Sequence, residues 1–179
     1  MKRHLVSIFM LAAAASILAI EPAGKPTFAT IVNVHSGRSE DIGNVKVRFS
    51  DGHSEIWTSR GRCMIPHVSY TGCVGWTYYT GFNDFQEPVN STLRLRFPNG
   101  RIKDFSSLYH GPFIEEWGFV DRDLAVVIKS RSSHGPPYFI KYDIGNGRVL
   151  GTVEVSTTYD DLPDWAKPYS DDRPRSGEH

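Results

Sequence analysis

The chain has 179 residues, with 20 Lys and Arg against 20 Asp and Glu, 40% hydrophobic residues and two cysteines. That composition excludes a disordered chain, a zinc ribbon and a disulfide-dense scaffold, and the balanced charge leaves no electrostatic footprint for nucleic acid or an anionic membrane surface. About 160 residues remain beyond the N-terminal segment, enough for one domain with its own core.

In chain order, Lys2 and Arg3 precede an apolar stretch from Leu5 to Ile20, broken only by Ser7 and Ser16. This is the pattern of a secretory signal peptide over residues 1–19. Ala13 with Ala15, or Ile17 with Ala19, mark the cleavage sites, and the stretch is shorter than the about 20 residues a membrane span needs. The expected mature protein is exported to the periplasm or the extracellular space and has no membrane span. It keeps 18 basic against 20 acidic side chains, a net charge of −2.

The next segment, residues 27–157, reads as strands. Alternating runs rich in β-branched and aromatic residues fall at Phe28–His35, Val45–Phe49, Glu55–Thr58, Val74–Thr80, Leu93–Phe97, Arg101–Phe105, Ile114–Val120, Leu124–Lys129, Phe139–Tyr142 and Val149–Val155. Turn residues separate nearly all of them, and no sustained 3.6-residue period occurs, so an all-β domain is predicted. One helical turn is expected at Leu162–Ala166, with Asp161 as its N-cap and Pro163 early in the turn.

A hairpin pattern recurs three times, at Val45–Gly52, Leu93–Gly100 and Ile140–Gly147, with the turn glycines 48 and 47 residues apart. Apolar residues stand three, five and seven positions before each glycine, so one face of each strand is expected to be buried while the other carries Lys, Arg or Asp. Asp51-Gly52, Asn99-Gly100 and Asn146-Gly147 are hairpin signals, because such turns call for positive φ. The segment Ile65–Trp76 precedes the second hairpin much as Ile114–Val126 precedes the third. In both, a strand reaches a polar turn and a second apolar strand returns.

A four-stranded unit of this length resembles a β-propeller blade, and Phe139–Val153 is similar to the outer strands of such blades. The resemblance covers Val45–Val155 and implies antiparallel four-stranded units, about two and a half of them. The Trp-Asp and Gly-His signatures of WD repeats and the double glycine of kelch repeats are absent, so no particular family and no functional residues follow. A closed ring needs at least four blades. The array therefore closes either by association of chains as a homo-oligomer or as an open β structure whose edges other segments cover. A β-sandwich of the same hairpins is the alternative architecture.

Residues 158–179 form an acidic, proline-containing tail. Trp165 and Tyr169 are expected to pin its first half to the domain, with disorder beyond Pro174.

Export makes Cys63 and Cys73 a candidate disulfide. A regular hairpin about Ser69-Tyr70-Thr71-Gly72 sets Cys73 against Val68 and Cys63 against Tyr78, so a bridge requires a break such as Pro66 supplies. The competing reading is two small buried hydrophobes.

No histidines recur at metal-ligand spacing, and neither a metal nor a cofactor is expected. His67, His110 and His134 could converge only from three separate loops. Glu115 and Glu116 beside Trp117 are weak catalytic candidates, since glycoside cleavage needs two carboxylates. Adjacent strand residues point to opposite faces, so one of them would need a partner from elsewhere, such as Asp84. Ser132-Ser133-His134-Gly135 lacks a nucleophile elbow.

The clearest aromatic concentration is Trp76, Tyr78 and Tyr79, with Phe82 and Phe85 beyond. Alternation puts Trp76 and Tyr78 on one face and Tyr79 on the other. Trp76, Tyr78, Tyr79, Phe82 and His134 are the ligand-binding candidates, and Trp76 is equally suited to filling a core. The loop from Gly81 to Ser91 is the longest insertion and the expected carrier of specificity. Asn90-Ser91-Thr92 matches a glycosylation acceptor.

These features point to an exported, non-catalytic binding or interaction module for a glycan or an envelope protein partner. The alternative is a hydrolase acting on extracellular or envelope polysaccharide through Glu115 or Glu116.

Overall fold

A computed structural model describes residues 24–33, 42–82, 88–107, 111–132, 135–154 and 158–173. The predicted signal segment and the residues beyond Pro174 lie outside them. Three antiparallel sheets make up the fold. The first holds β1 (Pro26–Val32), β2 (Asn44–Phe49) and β3 (Ser54–Ile56), side by side in that order. The second runs β4 (Cys63–Val68), β5 (Val74–Tyr78), β8 (Thr92–Arg96) and β9 (Ile102–Ser106), with a two-stranded ribbon of β6 (Gly81–Phe82) and β7 (Pro88–Val89) inserted between β5 and β8. The third runs β10 (Phe113–Val120), β11 (Ala125–Arg131), β12 (Tyr138–Asp143) and β13 (Val149–Glu154). The protein is all-β, and sheets of this kind are compatible with propeller-like blades and with a sandwich alike. Among the described residues no helix is long and apolar enough to cross a membrane.

The repeated hairpins are β2–β3, β8–β9 and β12–β13. Each turn has its glycine in the left-handed region, Gly52, Gly100 and Gly147 at φ 91°, 81° and 82°. In each, the preceding Asx side chain accepts from the backbone N–H two residues on, Asp51 from His53, Asn99 from Arg101 and Asn146 from Arg148. The Asx residues themselves keep negative φ, so these are three- or four-residue loops closed by a left-handed glycine rather than two-residue Asx-Gly turns. The third is one residue longer: the Gly147 N–H reaches back to the Asp143 carbonyl, where Gly52 and Gly100 close on Phe49 and Phe97.

The sheets stack face to face. Ala29, Val45, Val47 and Phe49 of the first meet Cys63, Val74 and Trp76 of the second. On the opposite face of the second sheet, Leu93, Leu95 and Phe105 meet Ile114, Trp117, Val126 and Ile128 of the third. The third sheet's far face is covered by the C-terminal segment, where Leu162 and Ala166 pack on Val127 and Phe139 with Trp165 and Tyr169 against them. Burial of β5 and β11 on both faces follows from this stacking and explains their nearly continuous apolar runs. The far face of the third sheet is thus closed by the chain's own tail. No helix forms at Leu162–Ala166: Asp161 ends a 3₁₀ turn (Tyr159–Asp161) instead of capping one, a single turn closes where Ala166 and Lys167 both donate to the Pro163 carbonyl, and a second 3₁₀ turn follows at Lys167–Tyr169.

Two bulges change what alternation predicts. In β4 the register advances between Met64 and His67, so that Cys63 lies opposite Tyr78 while Val68 faces Val74 instead of Cys73. Ile65 there adopts φ 47° directly before Pro66, a strained conformation for a β-branched residue. Its carbonyl accepts the Trp117 indole N–H at 2.8 Å. In β10 the bulge falls between Ile114 and Glu116.

The disulfide expected between Cys63 and Cys73 is not formed, and both are buried free thiols. Cys63 belongs to the core between the first and second sheets and Cys73 to the core between the second and third, so the second sheet separates them. Asn90 is likewise unsuited to carry a glycan. It is 3% exposed, and its side chain accepts from the Ile114 N–H at 3.0 Å and donates to the Ile114 carbonyl at 2.8 Å, tying the start of β10 to the β7–β8 connection.

Candidate functional site

An open cleft of about 900 Å³ lies between the end of β3, the loop after it and the first-sheet side of β5, β8 and β9. Its loop side is held by short-range bonds. The Val45 N–H donates to the Thr58 hydroxyl at 2.9 Å, Gly61 N–H to the Asn44 side chain at 2.7 Å, and Trp57 N–H to the Val45 carbonyl. Gly43 and Cys63 exchange two backbone bonds at the loop's far end, and Tyr79 N–H donates to the Arg62 carbonyl. With so many backbone groups satisfied, the loop is a fixed wall of the cleft.

Trp57, Trp76, Tyr78 and Tyr79 all line it. Trp76 is both core and site: it is 3% exposed and packs with Val47 and Val74, and among the described residues its indole N–H is the one buried side-chain polar group without a partner. Tyr79 reaches the same cleft as Tyr78 because β5 ends at Tyr78, and beyond that point strict alternation no longer applies. Phe82 belongs to the β6–β7 ribbon. Its side chain, like His134 as a whole, lies outside the described residues, and so do His110, Asp84 and Phe85.

The polar side of the cleft was not apparent in the sequence. Arg94 and Arg96 lie on the face of β8 that alternation assigns to solvent, and both enter the cleft. Arg94 forks onto Asp104 of β9, Nε to Oδ1 at 2.7 Å and Nη2 to Oδ2 at 2.6 Å, and its Nη1 donates to the Tyr78 hydroxyl at 3.0 Å. Its guanidinium also lies 4.8 Å from the Tyr78 ring centre. The Asp104 carboxylate raises the Arg94 pKa further above its usual value, so this group is a fixed cation. Arg96 stacks 4.1 Å from the Trp57 ring centre, and the indole N–H of Trp57 is held by Glu55 at 2.7 Å. Arg60 and Arg62 complete the lining. Both are exposed, and among the described residues neither pairs with a carboxylate. Thr58, Ser59, Thr80 and Thr92 add hydroxyl groups. The sequence signal for this set was the Arg-x-Arg of β8, read as a solvated strand face.

Glu115 and Glu116 stand on the third sheet, away from the cleft. The β10 bulge turns both toward the C-terminal segment, contrary to the opposite faces expected of a regular strand. Glu115 forks onto Arg131 and lies 3.4 Å from Lys129, and Glu116 pairs with Arg173 at 3.1 Å. Lys129 and Arg131 in turn hold Asp171. Lys129 is buried, so its charge is compensated by two carboxylates. These residues form a latch for the tail. Among the described residues no three His, Cys, Asp or Glu side chains gather as a metal set.

No protein-family model, curated protein or solved structure matches the chain.

Proposed function

We propose that this protein is an exported, non-catalytic binding module that holds a glycan in the cleft between its first and second sheets. The observation that carries the reading is the convergence of Trp57, Tyr78 and Tyr79, with Trp76 beneath them, on one preformed cleft fringed by hydroxyl groups. Aromatic faces interleaved with hydrogen-bonding groups suit the alternating apolar and hydroxyl faces of sugar rings. The volume lies toward the upper end of the about 300 to 1,000 Å³ of ordinary ligand pockets, room for a short oligosaccharide. Among the described residues the cleft's one carboxylate, Asp104, is committed to Arg94, an arrangement suited to holding a ligand rather than to cleaving one with a carboxylate pair.

The test is calorimetric titration of the mature protein against a broad oligosaccharide panel, with Trp57→Ala and Tyr79→Ala as variants. Saturable binding that weakens at least tenfold in either variant, without product formation, is the expected result; tenfold corresponds to about 1.4 kcal/mol. Absence of glycan binding, together with capture of an envelope protein that the same substitutions abolish, replaces the glycan by a protein partner. Turnover of a glycan that is lost in Glu115→Gln or Glu116→Gln would overturn the non-catalytic reading.

A further inference from the structure

Resting on that reading of the cleft, we infer that its ligand is an acidic saccharide, whose carboxylates are held by guanidinium groups while its rings lie against Trp57, Tyr78 and Tyr79. Among the described residues four arginines line the cleft, Arg60, Arg62, Arg94 and Arg96, against one carboxylate, that of Asp104, a charge of +3 for this set. The chain as a whole has the opposite sign, −2 once Lys2 and Arg3 are set aside, the cleft included. The positive field therefore belongs to this site and does not come from a generally basic surface.

The four cations have different tasks. Arg94 is bound to Asp104 and Tyr78 through three of its N–H groups, and the pair it forms with Asp104 builds the wall. Arg96 lies over the Trp57 ring, 4.1 Å from its centre, and lines the cleft beside it. Arg60 and Arg62 stand at the loop side, exposed, and among the described residues without a carboxylate. Glu55, the nearby acid that fixes Trp57, does not line the cleft. Unpaired guanidinium groups beside fixed aromatic faces present a planar fork for a carboxylate next to a surface for a ring. Ser59 and Thr92 supply hydroxyl partners for ring hydroxyls. An acidic peptide would satisfy the cations but would leave the aromatic faces and most of the hydroxyl groups without a matching partner, so the saccharide accounts for more of the lining.

The experiment compares oligomers of several uronic acids in their free-acid form with the same oligomers methyl-esterified, which keeps the rings and removes the charge. The free acids should bind at least tenfold tighter than the esters, and the gap should shrink with added salt. It should also collapse by about tenfold in Arg60→Gln and Arg62→Gln, the effect of losing one charge-assisted hydrogen bond. Both positions are exposed and, among the described residues, without a carboxylate partner, so the thermal midpoint of these variants should match that of the parent, which separates lost binding from lost folding. Equal binding of acid and ester overturns the charge inference and leaves the glycan reading standing. Binding of neutral glycans alone does the same. Failure of every uronic acid oligomer, with tight binding of an acidic peptide, overturns both. An acid-over-ester preference that survives in the double variant Arg60→Gln/Arg62→Gln and in Arg96→Gln overturns the charge inference at these arginines and leaves the glycan reading standing.

Discussion

Gly75 is the position at which the packing of the second sheet on the third can be tested by one methyl group. It lies on β5, paired with Leu95 of β8, directly beneath the indole of Trp117. A Cβ there would stand 2.3 Å from Cη2 of Trp117 and 2.5 Å from Cδ2 of Leu95. Neither neighbour is free to give way. Trp117 is 1% exposed, its N–H is bonded to the Ile65 carbonyl, and the rings of His67 and Phe119 flank it at 4.9 and 5.3 Å. Gly75→Ala therefore forces overpacking, which costs about 1 to 3 kcal/mol. If the indole retreats instead, the buried N–H loses its acceptor, at a cost of about 1 to 3 kcal/mol.

By either route the cost is about 1 to 3 kcal/mol, a fall of roughly 2 to 12 °C in the thermal midpoint for a domain of this size. Urea unfolding followed by tryptophan fluorescence, with calorimetry alongside, reads it directly. Combining Gly75→Ala with Trp117→Leu should cost less than the sum of the single changes, since the smaller side chain leaves room for the methyl group. A Gly75→Ala protein within about 0.5 kcal/mol of the parent, the size of an ordinary surface substitution, would refute the close approach and with it the stacking of these two sheets.

Three further outcomes follow from the same packing. Burial, with Asp123 nearby, pushes the Cys73 thiol up to about 12, and burial raises that of Cys63 as well. The native protein should therefore resist iodoacetamide at pH 8 and take up the reagent at both cysteines once denatured without reductant; a mass lower by two hydrogens and no uptake would show a bridge instead. Lys129, and after it Arg131, hold the Asp171 carboxyl below its usual value. A depressed folded pKa means that the latch contributes stability above the ordinary Asp value of about 3.9 and loses it as pH falls through the lower folded value. Protection against hydrogen exchange over 158–173, measured relative to the intrinsic rate at each pH, should fall below about pH 4 and show no such step in Asp171→Asn; identical protection profiles would remove Asp171 from the latch. Asn90→Leu strands the Ile114 N–H and carbonyl, at about 1 to 3 kcal/mol each, and a denaturation midpoint close to the parent's would contradict the pairing seen between these segments.

Much of the architecture was legible because it depends on near neighbours. Val45, Val47 and Phe49 alternate with Lys46 and Arg48, and Leu93 and Leu95 with Arg94, so the strands and their buried faces follow from period two. The three Asx-Gly turns repeat because the Asx side chain and the left-handed glycine act within three residues. Cys63–Val68 was absent from the alternating runs and entered only through the repeat, since Pro66 and His67 interrupt its pattern. The β6–β7 ribbon, two residues per strand, was too short to leave any period. Trp165 and Tyr169 stood out as a pin because aromatic residues in an acidic tail need a surface to cover them.

The candidate site was half visible. Trp76, Tyr78 and Tyr79 marked themselves by density, whereas Trp57, Arg60, Arg62, Arg94 and Arg96 come from separate segments with no shared motif. The sequence by itself determined an all-β chain of repeated hairpins, because alternation and turn chemistry are settled by the backbone within a few residues. Tertiary structure alone decided which faces are covered. Stacking brings the polar face of β8 against Trp57 and makes a charged cleft of what alternation assigns to water. It also sets Cys63 and Cys73 on opposite sides of one sheet. The β10 bulge, a single extra residue, turns Glu115 and Glu116 together toward the tail. Each outcome depends on contacts between residues far apart in the chain, and those contacts are fixed by how the sheets pack rather than by any local preference.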